Sequence, residues 1–390
     1  MPYYRSREFR SHRPGELEFE LIHWASEVLR KVDPQNPADA VLRAELKSQR
    51  HLSPESSGAI SRAVFAYYRW WKWLGEQPVA DQLHQALALQ ERFSKEPSDF
   101  SFEELASKAV PSWVSEQVSL SPDWLRALQS EPKPWLRARP GQGRELMMKL
   151  EGCRPAAPLA DTLEYSGEKD LFRTPEFHAG EFEIQDISSQ LVSLLSDPQP
   201  GETWWDACAG EGGKTLHLAD LMRNKGLIWA SDRAAWRLKK LKRRAARAKV
   251  FNYRSSLWEG GAKLPTKTKF DGVLLDAPCS GLGTWQRNPH ARWTTTPLDV
   301  HELGEVQRSL LAHAAAAVKP GGKLVYAVCT LTRTETVEVT QGFEKRFSEF
   351  QPLQLPNLLQ PGAPSTAPLW VWPQDCGGNG MFVAAWQRSL

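Results

Sequence analysis

No run of about 18 consecutive apolar residues occurs anywhere in this chain, so a membrane-spanning helix is not expected. The first ten residues are basic and aromatic and lack the apolar segment of a secretory leader, which points to a cytoplasmic protein. Cysteine is sparse. Cys153, Cys208, Cys279, Cys329 and Cys376 are odd in number and widely scattered, with no CxxC pair and no Cys/His spacing suited to zinc. Neither a disulfide framework nor a structural metal is expected. One-signed charge is lacking too: a formal net charge of +3 over 390 residues does not announce a nucleic-acid binder, so the distribution of charge must be read instead. The length allows two or three domains, each with its own core.

Two glycine motifs for nucleotides are also missing. Asp206-Ala-Cys-Ala-Gly-Glu-Gly-Gly-Lys-Thr215 follows an apolar strand and opens a helix. A P-loop would need Gly where Cys208 stands, and a dinucleotide fingerprint would need Gly where Thr215 stands, so neither ATP nor NAD is favoured. What remains is a turn of small residues that a ligand can approach closely, with helix N–H groups available to a carboxylate. Asp232 ends the next strand, where an acid accepts hydrogen bonds from a ribose. An adenosyl group with an amino-acid tail, S-adenosylmethionine, suits the two together.

The periodicity divides the chain into three stretches. Residues 1–130 read as an all-helical domain, with Ser53 capping a helix that begins at Pro54 and with Trp70, Trp71 and Trp73 packing its core. Residues 131–182 mix a strand at Pro134–Arg139, a short helix and Gly-rich pieces, a small α+β region. From residue 183 onward strands and helices alternate, predicting an α/β domain with a parallel sheet covered on both faces. Asp186 caps a helix from Ile187; strands are expected at Thr203–Ala207, Leu227–Ser231, Phe251–Arg254, Val273–Ala277 and Leu324–Cys329, a helix over Thr334–Phe347, a loop over 356–380 and a last strand at Met381–Trp386.

The apolar run from Phe270 passes directly into Asp276-Ala-Pro-Cys-Ser-Gly281, and Leu324–Cys329 ends likewise in a cysteine. Ligands bind beyond the carboxyl ends of such strands. If these two strands are neighbours, Cys279, Cys329 and Asp276 face one crevice beside the methyl donor. The helix after Asp232 carries Arg233, Arg237, Lys239, Lys240, Lys242, Arg243, Arg244, Arg247 and Lys249 without one acid, and phosphate contact explains so one-sided a helix. Arg5, Arg7, Arg10 and Arg13 add to the basic character.

These motifs resemble those of the RsmB-like (Fmu/NSUN) family of RNA cytosine-5 methyltransferases. The likeness rests on Asp206-Ala-Cys-Ala-x-x-Gly-Gly-Lys-Thr215, on Asp276-Ala-Pro-Cys-Ser-Gly281 with Arg287-Asn-Pro289 and Trp293, and on Tyr326-Ala-Val-Cys-Thr330, flanked by Ile184–Leu191 and Gly380–Ala384. The amino-terminal helices are similar to a NusB-like RNA-binding domain. The resemblance implies a Rossmann-like S-adenosylmethionine-dependent methyltransferase fold, its mixed sheet mostly parallel. It implies that Cys329 attacks carbon 6 of cytosine, that Cys279 assists breakdown of the adduct, that Asp276 stabilises the base, and that Lys214 favours the anions. Cys208, Ala209, Gly210, Glu211, Gly212, Gly213 and Lys214 would hold the methionine part of the donor, Asp232 its ribose, and Asp276 would border it. The partner implied is RNA, small-subunit ribosomal RNA by domain order, with transfer RNA, or a non-catalytic role in ribosome assembly, as alternatives. A DNA cytosine-5 methyltransferase would instead attack through Cys279.

The chain departs from the family pattern at several positions. Glu211 replaces Pro, and the third strand offers Ser255 and Ser256 where an acid meets the adenine end. Gln286 replaces an arginine, His290 an acid, Thr330 a serine and Thr336 an asparagine.

Overall fold

The structure, a computed structural model, describes residues 14–49 and 52–390, with side chains from residue 19 onward. The four arginines of the amino-terminal tail lie outside the described residues. The chain forms two compact units: Met1–Ala109 with Asn288–Thr294, and Val110–Arg287 with Thr295–Leu390.

The first unit is helical, built on Pro14–Arg30, Ala38–Ser48, Pro54–Trp70 and Val79–Lys95. Apolar residues at helical spacing meet in one core that includes Ala25, Val28, Ile60, Val64 and Leu83. Ser53 caps Pro54–Trp70 by accepting the Ser56 N–H at 3.0 Å, with proline at the first turn where its missing N–H costs nothing. Trp70 is fully buried against Phe93 and Phe100, and the Trp73 indole donates to Glu104 at 2.7 Å. Trp71, by contrast, is 42% exposed, so only part of the tryptophan cluster is core. The Asn288–Thr294 segment belongs to this unit: Trp293 donates its indole N–H to the Tyr68 carbonyl at 2.6 Å, and the His290 ring lies edge-on to Tyr68. Burial pulls the His290 pKa down, so the ring sits there neutral.

The second unit holds two sheets. The smaller comprises β1 (Trp135–Ala138), β2 (Cys153–Ala156), β3 (Leu159–Tyr165) and β4 (Phe182–Ile184), antiparallel in the order β2-β3-β1-β4. The larger is made of β5 (Thr203–Asp206), β6 (Leu227–Asp232), β7 (Tyr253–Leu257), β8 (Phe270–Asp276), β9 (Val318–Val328), β10 (Phe350–Pro352), β11 (Leu369–Val371) and β12 (Met381–Arg388). Its order is β10-β12-β9-β8-β5-β6-β7, with β11 on β12. The run from β7 to β9 is parallel, and β12 is antiparallel to β9.

Both faces of the large sheet are covered, and successive residues divide between them as the period of a strand demands. Trp204, Leu274, Val325, Ala327 and Val383 join one core; Trp205, Val273, Leu275, Leu324, Tyr326 and Phe382 join the other. The chain enters at β5, runs outward through β6 and β7, then crosses back to β8 and β9. The strand order therefore reverses beside β5, and the crevice at that switch point receives the carboxyl ends of β5, β6, β8 and β9.

Several boundaries differ from the sequence expectation; the strand before Cys279 begins at Phe270 rather than Val273, and the last strand runs on to Arg388. The third strand is Tyr253–Leu257, two to three residues later than expected, because Asn252 is buried and Phe251 points to solvent. The strand that leads into Cys329 begins at Val318, a register shift between Phe270 and Gly272 absorbing Lys319–Gly322. The loop after residue 356 contains β11 and a short helix, Pro373–Cys376. The helix expected from Thr334 starts at Val337. Thr332 and Thr336 bond to nearby carboxylate and backbone acceptors instead, the usual competition of short polar side chains with helix formation.

Buried ion pairs tie the small sheet to the helices beside the large one. Arg137 and Arg139 both donate to Asp220 on helix Gly213–Leu221. Glu183 of β4, 1% exposed, receives Arg244 at 2.9 Å and Arg247 at 2.7 Å from helix Ala235–Arg247. Burial alone would raise the Glu183 pKa, but the arginines outweigh it and hold the carboxylate below its ordinary range.

Candidate active site

Every strand of the parallel core that ends at the switch point delivers a polar side chain there. β5 ends in Asp206, β6 in Asp232 and β8 in Asp276, while Cys329 directly follows β9. Because β8 and β9 are neighbours with Asp276 opposite Ala327, the segments that follow them run side by side. Their sulfurs meet: Cys279 Sγ and Cys329 Sγ are 3.3 Å apart. Gly283 locks this approach, donating its N–H to the Cys329 carbonyl at 3.0 Å, while its own carbonyl accepts the Gly380 N–H at 2.7 Å. A Cβ at Gly283 would lie 2.2 Å from the Gly380 oxygen, so no larger residue fits.

Lys214, in the first turn of helix Gly213–Leu221, donates to Asp276 Oδ2 at 2.6 Å. Burial pulls its ammonium down, but the charge of Asp276, the hydrogen bond to it, and the charges of Cys329 and Asp206 prevail and hold the pKa above its ordinary value. The lysine is therefore a fixed cation beside Asp276, favoured also by charge on Cys329. The two sulfurs are not equivalent. Cys279 is pushed well above the ordinary thiol range by its hydrogen bond to Cys329, then by burial, then by the charges of Cys329 and Glu335. It keeps its proton, and either sulfur can donate in the contact between them. The third nearby cysteine, Cys208, is also raised, by burial and by the charges of Asp206, Asp276 and Asp232, and stays a thiol.

The turn between β5 and its helix is built around glycine. Gly212 has φ +87°, and a Cβ there would lie 2.6 Å from Leu241 Cγ. Gly210 also has positive φ, but open space surrounds it, as a ligand lying along the turn would need. Asp232 spans the turn, accepting the Gly210 N–H at 3.0 Å through Oδ2 and the Ala234 N–H at 2.8 Å through Oδ1. Each oxygen keeps a lone pair for a further donor. The Glu211 charge, a departure from the family pattern, is met by Lys240 at 2.6 Å. Ser256 on β7 already accepts the Trp229 indole N–H at 2.7 Å, whereas Ser255 is exposed. Asp206, fully buried, accepts the Thr215 hydroxyl at 2.6 Å through Oδ2, and its Oδ1 has no partner among the described residues. Open space at Gly210, acceptors at Asp232 and backbone N–H groups at the helix start fit a ligand with a ribose and an amino-acid tail.

The fold thus brings together Lys214, Asp276, Cys279 and Cys329, with the Cys208–Gly213 turn and Asp232 beside them at the same sheet edge. Sequence reasoning missed Asp206 as more than a motif residue, and missed Glu335 altogether. Glu335 is fully buried and accepts from Ser280, Thr330, Thr332 and Gln307. The only trace of it in the sequence is the run Thr330-Leu-Thr-Arg-Thr-Glu335, polar where a core-facing helix start would be apolar.

The basic helix divides in two. Arg244 and Arg247 turn inward to Glu183, and Lys240 is half-buried on Glu211, which corrects the expectation that its charges are one phosphate-binding set. Arg233, Arg237, Lys239, Lys242, Arg243 and Lys249 remain exposed. Trp236, 54% exposed, lies among them with the Lys240 ammonium 4.8 Å from its ring centre.

Among the described residues no helix is long and apolar enough to cross a membrane, and no three His, Cys, Asp or Glu side chains form a metal-ligating group.

Residues 193–387 match the family described as 16S rRNA methyltransferase RsmB/F, half of the chain. The probable ribosomal RNA small subunit methyltransferase B of Synechocystis is 38% identical over 227 residues, 56% of this chain and 50% of that protein. The ribosomal RNA small subunit methyltransferase B of Shewanella oneidensis is 31% identical over 299 residues, covering 72% of this chain and 67% of that protein. The chain spans about half the length of several curated relatives it matches. Among solved structures, a methyltransferase homolog protein from Pyrococcus horikoshii superposes with a TM-score of 0.60 at 27% identity, over 68% of this chain and 90% of that one. The mixed, mostly parallel sheet is that of S-adenosylmethionine-dependent methyltransferases. Fold, motif placement and matched relatives agree: the chain belongs to the 16S rRNA methyltransferase RsmB/F family.

Proposed function

We propose that this protein transfers a methyl group from S-adenosylmethionine to carbon 5 of a cytosine in RNA, small-subunit ribosomal RNA in the cytoplasm, through a covalent cysteine adduct. The observation that carries the reading is the pair of thiols 3.3 Å apart beside a lysine–aspartate pair. Carbon 5 of cytosine is a poor nucleophile, and covalent catalysis replaces one difficult step with easier ones. The Cys329 thiolate adds to carbon 6, forming an S–C6 bond and moving the C5=C6 electron pair onto carbon 5. Asp276 steadies the base through its ring nitrogen or exocyclic amine, and Lys214 balances the negative charge. The donor would lie along the Cys208–Gly213 turn with its ribose at Asp232 and would supply its methyl group to carbon 5, the C5–CH3 bond forming as the S–CH3 bond breaks and its electron pair stays on the donor's sulfur. Cys279, once it has passed its own thiol proton to solvent, takes the carbon-5 proton. The C5–H electron pair re-forms the double bond, and the S–C6 bond breaks to return the Cys329 thiolate.

The target base must be unstacked for its face to be attacked, which suits a single-stranded or opened RNA segment. The exposed side of helix Ala235–Arg247, with Trp236 for stacking and Lys239 and Arg243 for phosphates, is the surface proposed for the strand. The helical unit, NusB-like by resemblance, is proposed as a second RNA contact.

RNA containing 5-fluorocytosine tests the chemistry, since fluorine at carbon 5 leaves no proton to remove and traps the adduct. Cys329→Ala should form none, while Cys279→Ala should accumulate it. An adduct lost in Cys279→Ala and kept in Cys329→Ala would overturn the assignment in favour of attack by Cys279. Absence of S-adenosylmethionine binding by calorimetry, with RNA binding intact, would favour a non-catalytic role in ribosome assembly.

A further inference from the structure

Glu335 is fully buried, yet among the described residues no ion pair neutralises it. Its charge rests on donated hydrogen bonds alone: Ser280 N–H at 2.8 Å, Ser280 Oγ at 2.5 Å, Thr330 Oγ1 at 3.1 Å, Thr332 Oγ1 at 2.8 Å and Gln307 Nε2 at 3.0 Å. Charge-assisted bonds of this kind are about twice as strong as neutral ones, and losing one partner leaves the rest badly placed. The donors are not a random set. Ser280 directly follows Cys279, and Thr330 directly follows Cys329. The Ser280 and Thr330 hydroxyls also touch each other at 3.0 Å. Gln307 further donates to the Pro278 carbonyl at 2.9 Å, so the residue before Cys279 is held by the same group. The Glu335 backbone carbonyl accepts the Tyr326 hydroxyl at 2.7 Å, anchoring this turn to β9.

We propose that Glu335 is the positioning residue of the thiol pair: by fastening Ser280 and Thr330 to one carboxylate, it sets the approach of Cys279 to Cys329. Covalent attack and proton removal must reach two adjacent ring carbons, so displacement of one sulfur by an ångström costs about 100-fold in rate. A hydrogen-bonded carboxylate holds such a separation better than apolar packing, because its geometry is directional. Its charge also opposes ionisation of Cys279, which helps keep the proton on that sulfur.

The consequence for turnover rests on the proposed methyltransferase reading, while the thiol geometry can be tested without RNA. Phenylarsine oxide binds tightly only where two thiols lie close together. The unmodified chain should bind one arsenical that protects Cys279 and Cys329 together, and Cys279→Ala and Cys329→Ala should each abolish binding. Glu335→Ala should bind it about tenfold more slowly and lower kcat by about 100-fold, with KM for RNA within about twofold. Glu335→Gln should recover much of both, because its amide can donate to two of the Ser280, Thr330 and Thr332 hydroxyls while its oxygen keeps the Ser280 N–H. Thr332→Val, which removes a single hydroxyl, should shift both readouts the same way by less, and it decides the matter if Glu335→Ala does not fold. Unchanged arsenical binding in folded Glu335→Ala, or in Thr332→Val where the alanine variant is unfolded, would overturn the proposal. So would activity that falls only in step with the folded fraction. If the unmodified chain methylates no RNA, the functional reading fails and the arsenical arm still judges Glu335.

Discussion

Asp206 is the one site carboxyl whose cost can be worked through. It is fully buried, its Oδ2 accepts the Thr215 hydroxyl, and its Oδ1 meets no donor among the described residues. Burial and the charges of Asp276 and Asp232 outweigh the Thr215 hydrogen bond and Lys214, and push its pKa from an ordinary 3.8 to about 7. A carboxyl raised on folding binds its proton more tightly in the folded chain than in the unfolded one. Its contribution to stability is complete below about pH 4 and is lost as pH rises through about 7. At about 1.4 kcal/mol per pH unit, the loss across that window is about 4 kcal/mol. Asp206→Asn removes the titration and keeps a carbonyl for Thr215. The measurement is urea unfolding followed by tryptophan fluorescence at several pH values from 4 to 8. The stability of the unmodified chain minus that of the variant should fall by about 4 kcal/mol across the range, the variant being the equal or better of the two at pH 8. The difference matters because His217, depressed by burial and by Arg137 and Arg139, has the opposite sign. Its contribution is present above the ordinary histidine range and is lost as pH falls through it, in both chains alike. Curves that stay parallel within about 0.5 kcal/mol would refute the account of Asp206.

Gly212→Ala places a side chain at φ +87° and against Leu241, and should destabilise by about 1–3 kcal/mol in calorimetric melts while weakening S-adenosylmethionine binding. Glu183→Gln takes the charge from a buried site facing Arg244 and Arg247, and should cost about 3–5 kcal/mol in the same melts. Lys239→Glu with Arg243→Glu should weaken RNA binding and lower the salt dependence of log K by about 2, leaving donor affinity unchanged. Trp236→Ala should weaken single-stranded RNA by about 1–3 kcal/mol in fluorescence anisotropy and duplex RNA much less.

The parallel core was legible because each of its strands is an apolar run bounded by polar residues, and because the strands alternate with helices. The site was legible for a related reason: a strand buried on both faces can change to Asp276 or Cys329 only where it leaves the sheet. What stayed hidden depends on partners far away in sequence. Arg244 and Arg247 look like the other charges of their helix until Glu183, some sixty positions earlier, is found beneath them. Glu335 reads as the first turn of a helix, since its threonines have no visible reason to turn inward. The assignment of Asn288–Thr294 to the helical unit was equally invisible, for Trp293 meets a backbone carbonyl, which leaves no mark on composition.

The asymmetry between the two sulfurs bears directly on the order of steps in the proposed reaction. Negative charge on a sulfur 3.3 Å away disfavours ionisation of Cys279, as does the Glu335 carboxylate. Charge on Cys329 would favour the Lys214 cation, while Glu335 opposes charge on Cys279. Once the Cys329 sulfur has bonded to carbon 6 it carries no charge. The hydrogen bond and the neighbouring charge that hold up the Cys279 pKa then vanish together, leaving burial and Glu335. Cys279 becomes easier to ionise only after the adduct exists, which is when a base is required at carbon 5. In the proposed reaction, a base that waits for its neighbour to be alkylated needs no motion of the chain, only two sulfurs in contact.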